Sequence, residues 1–175
     1  TAYTRTIDQW IMWMPPVKDV SNYWSPINIA EVNSNGLEAR ANMRINANDW
    51  HFNCNLGVDF SWSVFGTPLP EFNINEGDQL FYVPVENVIA GFTAAYRQWS
   101  GYYNHHWFGP SPGINEDVEA ANVGSGGLNY NFTHTKIKWT LYLQADNIWN
   151  VPYRIIERRP MPGRSFTGGV RFVFS

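Results

Sequence analysis

Between residues 136 and 146 the chain alternates. Ile137, Trp139, Leu141, Leu143 and Ala145 interleave with Lys138, Thr140, Tyr142, Gln144 and Asp146. The same period of two runs through 37–46, where Leu37, Ala39, Ala41, Met43 and Ile45 oppose Glu38, Arg40, Asn42, Arg44 and Asn46. It returns in 52–63, with Phe52, Cys54, Leu56, Val58, Phe60 and Trp62 against Asn53, Asn55, Asp59 and Ser61. In 88–97, Val88, Ala90, Phe92, Ala94 and Tyr96 oppose Thr93 and Arg97, and in 166–174 Phe166, Val170, Phe172 and Phe174 oppose Thr167 and Arg171. A period of two puts each set on one face of a β-strand. Weaker strands near 2–14, 99–108 and 122–132 bring the expected number to about eight. No stretch repeats at 3.6, and Gly and Pro punctuate the chain throughout, so no helix of substance is expected.

The connections alternate in length. Only 47–49, Gln98 and 133–135 join the second to third, fourth to fifth and sixth to seventh strands, whereas 15–28, 64–84, 109–121 and 147–164 are long. This pattern predicts an antiparallel up-and-down meander with every long loop at one end. Outer-membrane β-barrels are built this way, with short periplasmic turns and long extracellular loops. Eleven residues at ~3.3 Å each, tilted by ~45°, rise about 26 Å, which suits an apolar band of about 25 Å. Arg40, Arg44, Asp59, Lys138 and Arg171 share the mixed face, so that face is expected to line a wet lumen while the apolar face meets lipid. The alternation also suits a soluble, Trp-rich carbohydrate-binding β-sandwich, whose strands are usually shorter. That is the alternative reading.

Composition narrows the classes. Charged residues make up 15% and aromatics 17% of the 175 residues, which argues against disorder. A net charge of −3 offers no basic footprint for nucleic acid. The single Cys54 excludes an internal disulfide and a Cys-based zinc site. No catalytic signature such as G-x-S-x-G or H-E-x-x-H is present, so neither an enzyme nor a cofactor is expected. His105 and His106 are neighbours on a strand and face opposite sides, so no metal site is expected there. Cys54 falls on the apolar face as a small filler.

Several motifs carry a family resemblance. Asp146-Asn147-Ile148-Trp149-Asn150-Val151-Pro152-Tyr153 is followed by Pro160-Met161-Pro162-Gly163-Arg164-Ser165-Phe166 and then by Gly169-Val170-Arg171-Phe172-Val173-Phe174. This resembles the end of a TonB-dependent outer-membrane receptor. Asp8–Pro15 followed by Trp24–Asn28, Asn35-Gly36-Leu37-Glu38 and Tyr82-Val83-Pro84 resemble earlier stretches of the same family. The Pro-Met-Pro-Gly-Arg-x-Phe run is the most specific of these.

The resemblance implies that residues 1–175 are the C-terminal portion of a 22-stranded barrel, with the plug domain absent from them. Thr1–Thr6 reads like the middle of a strand, in keeping with a piece of something larger. The implied function is energised uptake of a scarce, bulky ligand across the bacterial outer membrane, of the siderophore-iron, corrinoid or oligosaccharide class. The implied partners are the remaining N-terminal barrel strands, the plug domain, the TonB complex reached through the plug segment, outer-membrane lipid and the barrel assembly machinery. Thr167, Gly169, Phe172 and Phe174 resemble the polar-x-Gly-x-x-aromatic-x-aromatic signal read by that machinery; Ser175 departs from the pattern, since family members usually end on the aromatic.

Candidate ligand-binding residues lie in the long loops. Tyr23 and Trp24 could stack on a ligand. Glu157-Arg158-Arg159 could meet an anionic ligand or headgroup sugar-phosphates, with Arg158 and Arg159 as the contacts. Asp146, Asn147 and Arg164 are expected to tie the last loop to the wall.

Overall fold

The computed structural model describes residues 1–16 and 23–174, with only the backbone of Ala30. Part of the expected first loop and Ser175 lie outside the described residues. Eight strands form one sheet: β1 (Ala2–Met14), β2 (Ser25–Ala47), β3 (Trp50–Phe65), β4 (Glu86–Tyr96), β5 (Trp99–Phe108), β6 (Ala121–His134), β7 (Ile137–Asp146) and β10 (Ser165–Phe174). A second, two-stranded piece, β8 (Arg154–Ile156) with β9 (Arg159–Pro160), sits inside the last loop. The large sheet runs β1-β2-β3-β4-β5-β6-β7-β10, antiparallel throughout, and β1 and β10 are its two edges. A meander in sequence order is not the two-sheet Greek key of a sandwich, so the alternative architecture is set aside.

The strand set matches the alternation, with two differences. β2 is 23 residues long and begins at Ser25, well before the expected residue 37. Its first half carries Ile27, Ile29 and Val32, but Asn33, Ser34 and Asn35 interrupt the alternation before Leu37. The β8–β9 hairpin and a short 3-10 turn at Pro70–Phe72 inside the loops were also not expected.

Residues directly opposite in an antiparallel pair point to the same side, so register carries a face across the sheet. One row runs Met43–Cys54–Phe92–Tyr103–Gly126–Ala145–Phe166. A neighbouring row on the other face runs Asn42–Asn55–Gly91–Asn104–Ser125. Leu141, Leu56, Met43 and Phe172 therefore share one face, and Arg40, Asp59, Lys138 and Arg171 the other. Cys54 lies on the apolar face, as expected.

That apolar face is bare. Leu143 is 57% exposed and Leu128 58%, far more than water tolerates over so many neighbouring strands. Among the described residues no helix is long and apolar enough to cross a membrane, which leaves strands as the elements that could. At the short-turn end the apolar face carries a belt of packed rings. Trp50 stacks on Tyr96 at 4.6 Å, Trp99 lies 4.7 Å from Tyr130, Phe132 stacks on Trp139, and Trp139 meets Phe172 at 5.5 Å. Aromatic girdles of this kind mark the membrane interface of barrels.

The buried core is at the opposite end. Met14, Ile29, Val32, Phe65, Ile74 and Leu80 form one cluster under the 66–85 connection. Ile29 and Val32 are three apart, which regular alternation would place on opposite faces. Gln9, which has φ 58, lies between the register pairs Asp8–Glu31 and Trp10–Ile29, level with the point on β2 between Ile29 and Val32. The core thus ties loop 66–85 to the tops of β1, β2 and β3 and gives the loop end a fixed platform.

Candidate functional site at the long-loop end

Three connections meet above the wall: 66–85, 109–120 and 147–164. Their junction is Glu157, in the turn between β8 and β9, only 7% exposed. Its Oε2 accepts the backbone N–H of Asn115 at 2.8 Å and that of Glu116 at 3.1 Å. Its Oε1 accepts the Asn115 side-chain amide. Tyr82, from loop 66–85, faces the same carboxylate, and its backbone N–H donates to the Pro112 carbonyl at 2.8 Å. Arg154 in β8 pairs with Glu116 at 2.9 Å on the exposed flank.

The electrostatics follow from these bonds. Burial on its own pushes Glu157 up, but the Asn115 backbone and side chain, the Glu116 amide and the Arg158 charge outweigh it and hold the carboxyl below the ordinary glutamate range. Burial pushes the Tyr82 phenol up, and the facing carboxylate adds to the shift. Glu157 therefore stays ionised while it accepts from the 109–120 connection.

On one side of this junction lies a cavity of about 670 Å³. Its walls are Trp13 from β1, Trp24, Tyr82, Ile114, Ile156, the two cations Arg158 and Arg159, and Glu157, whose carboxylate is taken up by Asn115 and Glu116. Three of the four expected ligand contacts, Trp24, Arg158 and Arg159, thus come together although 134 positions separate Trp24 from Arg158 (158 minus 24). Tyr23 does not line the cavity; it is 74% exposed beside it. Arg158 has φ 58, a left-handed turn position that aims consecutive arginines around the hairpin tip. A larger recess of about 870 Å³ opens on the other side of the hairpin. It is lined by Glu116, Asp117 and Glu119, and its cation Arg154 is already committed to Glu116, so it suits an anion poorly.

The apolar rings and the two guanidinium groups of the smaller cavity can hold a ligand that has a flat apolar body and negative charge. Trp13, Tyr82, Ile114 and Ile156 escaped the sequence reading. So did the clamp role of Glu157, which was read as part of a charged tip. Its partners lie 41 and 42 residues away, and no local pattern marks such a pairing.

The remaining expectations resolve individually. Asn147 closes the last loop on itself rather than tying it to the wall: its side-chain amide donates to the carbonyls of Val151 at 2.9 Å and Pro162 at 3.2 Å, and its Oδ1 accepts the Val151 N–H. Arg164 joins it through the Ile148 carbonyl. Asp146 takes no part; it accepts from Gln144 on its own strand. His105 and His106 do face opposite sides, bonded to Asn122 and Asn87 respectively. Among the described residues no three His, Cys, Asp or Glu side chains gather as a metal site. Thr167 and Gly169 point to the polar face and Phe172 and Phe174 to the apolar one.

No family model matches the chain, and no curated protein does. Among solved structures it is similar to "Copper transporter OprC", at 17% identity and a TM-score of 0.67, over 99% of this chain and 28% of that one. At that identity the likeness speaks to fold alone, and the chain spans little more than a quarter of the solved one. What is shared is therefore the architecture, over nearly all of this chain.

Proposed function

We propose that the chain is the C-terminal wall and loop cluster of a TonB-dependent outer-membrane receptor. In this reading residues 1–175 belong to a 22-stranded barrel, other strands continue the sheet from its β1 and β10 edges, and a plug domain fills the lumen and contacts TonB. One observation carries it most. Register keeps a continuous apolar face, with an aromatic belt at its short-turn end, beneath loops that gather Trp24, Arg158 and Arg159 around one cavity. An exposed face of that kind is stable where lipid covers it, and open sheet edges in lipid require completing strands. The resemblance of the Pro160–Phe166 run to the family and the likeness in fold to a transporter point the same way.

The ligand we propose is bulky and anionic with a flat apolar part, held by Arg158 and Arg159 against Trp24 and Trp13. Ferric siderophores fit that chemistry better than corrinoids or neutral oligosaccharides. Copper, named for the similar structure, is not part of this reading, which rests on cations and rings.

The test uses cells expressing the whole receptor that carries this chain, with and without an intact TonB system. Growth is compared with a ferric tricatecholate as iron source, with cobalamin as the limiting nutrient, and with an oligosaccharide as carbon source. TonB-dependent growth on the first, weakened by Arg158→Gln with Arg159→Gln, is expected. Uptake indifferent to TonB, or growth indifferent to both arginines on every nutrient, would overturn the reading.

A further inference from the structure

High on β5 and β6 the apolar face carries a run of hydrogen-bonded polar side chains. There β6 presents Gly124 and Gly126 to that face, and the 147–150 turn folds over the bare strip they leave. The Ile148 N–H donates to the Gly124 carbonyl at 2.8 Å. A Cβ on Gly124 would sit 2.6 Å from Trp149 Nε1 and 2.7 Å from the Tyr103 hydroxyl, so only glycine admits the indole. From Trp149 a chain of hydrogen bonds runs up the face. Its Nε1–H donates to Tyr103 Oη at 3.3 Å, Tyr103 Oη meets His105 Nδ1 at 2.9 Å, and His105 Nε2 meets Asn122 Oδ1 at 3.1 Å.

The network assigns its own protons. The Tyr103 hydroxyl, already accepting from Trp149, donates to Nδ1. Nε2 then carries the imidazole hydrogen and donates to Asn122 Oδ1, which leaves the exposed Asn122 NH₂ as a donor without a protein acceptor. Beside this chain stands Arg164. It donates to the Ile148 carbonyl at 3.4 Å and lies over the Phe166 ring at 6.0 Å. Among the described residues it makes no ion pair. Trp149, Tyr103, His105, Asn122 and Arg164 thus offer donors and one cation, with no carboxylate among them. Trp149, 58% exposed, and Phe166, 69% exposed, supply apolar surface alongside.

Donors facing lipid are costly unless an acceptor meets them, and at the interface that acceptor is a headgroup. We propose that this corner docks the phosphate-bearing headgroup of an outer-leaflet glycolipid: Arg164 and the Asn122 amide take the phosphate and sugar oxygens, while Trp149 and Phe166 lie along the acyl chains. The proposal rests on the reading that the apolar face meets the membrane.

The test places the purified receptor carrying this chain in phosphatidylcholine nanodiscs doped with either lipid A or phosphatidylethanolamine. Retained lipid is counted by native mass spectrometry. Lipid A is expected to be retained in preference, and Arg164→Gln to lower its retention about tenfold, the scale of one lost charge-assisted bond. His105→Phe, which cuts the hydrogen-bond chain, should lower it as well, while Lys138→Gln on the opposite face should not. Equal retention of both lipids, indifference to Arg164→Gln, or displacement of lipid A by inorganic phosphate at equal concentration would each overturn the proposal. A receptor that stays in buffer without detergent would instead overturn the membrane reading beneath it; one that inserts without preferring lipid A defeats this site alone.

Discussion

The backbone amide of Asn115 donates to the Glu157 carboxylate at 2.8 Å, across 42 residues of chain. With the Glu116 amide on the same group, this one side chain joins the last loop to the 109–120 connection, and the Tyr82 N–H holds loop 66–85 to that connection through the Pro112 carbonyl.

Acid should loosen that junction. The folded-state pKa of Glu157 is depressed, so its contribution is present above the ordinary glutamate pKa and is lost as pH falls through the lower, folded value. Loop protection from hydrogen exchange at 109–120 should therefore be constant near neutrality and fall only below about pH 4. Glu157→Ala should abolish the protection at neutral pH. The carboxylate is enclosed by little more than the loops that bond it, so solvent screening keeps the cost modest, about 1–2 kcal/mol for amides left unpaired. Protection that is unchanged in Glu157→Ala would show that the loops hold together without it.

How far the sequence led differs between wall and loops, for a physical reason. Strands announce themselves locally: Leu37 to Ile45 and Ile137 to Ala145 alternate because one face of the sheet is apolar and the other polar, and each residue's environment repeats every second position. The apolar face, the tight turns and the place of Cys54 were legible for that reason. The upper half of β2 was not, since Asn33, Ser34 and Asn35 interrupt its alternation. The cavity was half legible. Trp24, Arg158 and Arg159 stood out by type, whereas Trp13, Tyr82 and Ile114 are ordinary residues brought there by loop packing. Asp146 was expected to hold the last loop, but Asn147 does so without it, because an amide can both donate and accept where a carboxylate only accepts.

Gly169 distinguishes packing from signalling. A Cβ there would lie 2.6 Å from the Tyr142 hydroxyl, since the tyrosine lies across the glycine opposite it. Gly169→Ala should displace the Tyr142 ring and destabilise the wall by about 1 kcal/mol, and Tyr142→Ser in the same molecule should recover most of it. Thermal unfolding in detergent reads both. If the double variant is no more stable than Gly169→Ala, the glycine matters for some other reason than the ring above it.

The two faces make opposite demands on charge. Leu141 stands on the apolar face and Lys138 on the polar one, three positions away on the same strand. Leu141→Arg should reduce folded receptor in the membrane by the equivalent of about 2–4 kcal/mol, the cost of a cation against lipid at mid-depth. Lys138→Gln should leave it unchanged. Heat-modified gel mobility of membrane fractions measures the folded share, and equal losses in the two variants would contradict the assignment of faces.

Phe172 and Phe174 should matter for assembly rather than for ligand capture. Both lie on the apolar face at the short-turn end, 5.7 Å apart, and Phe172 continues the aromatic belt through Trp139. They stand at the opposite end of the strands from the cavity of Trp24, Arg158 and Arg159, so no direct contact with a ligand there is open to them. Phe174 is 73% exposed, and replacing it removes interfacial ring area without leaving a hole in the wall. Phe174→Ser in the whole receptor should therefore lower the quantity of folded barrel in the outer membrane, while the molecules that do assemble bind ligand as before. Quantity and affinity are measured separately, by surface labelling and by ligand titration on the same cells. Unchanged quantity with weakened binding would remove the assembly role, and would require that a residue at the periplasmic rim reach the ligand path.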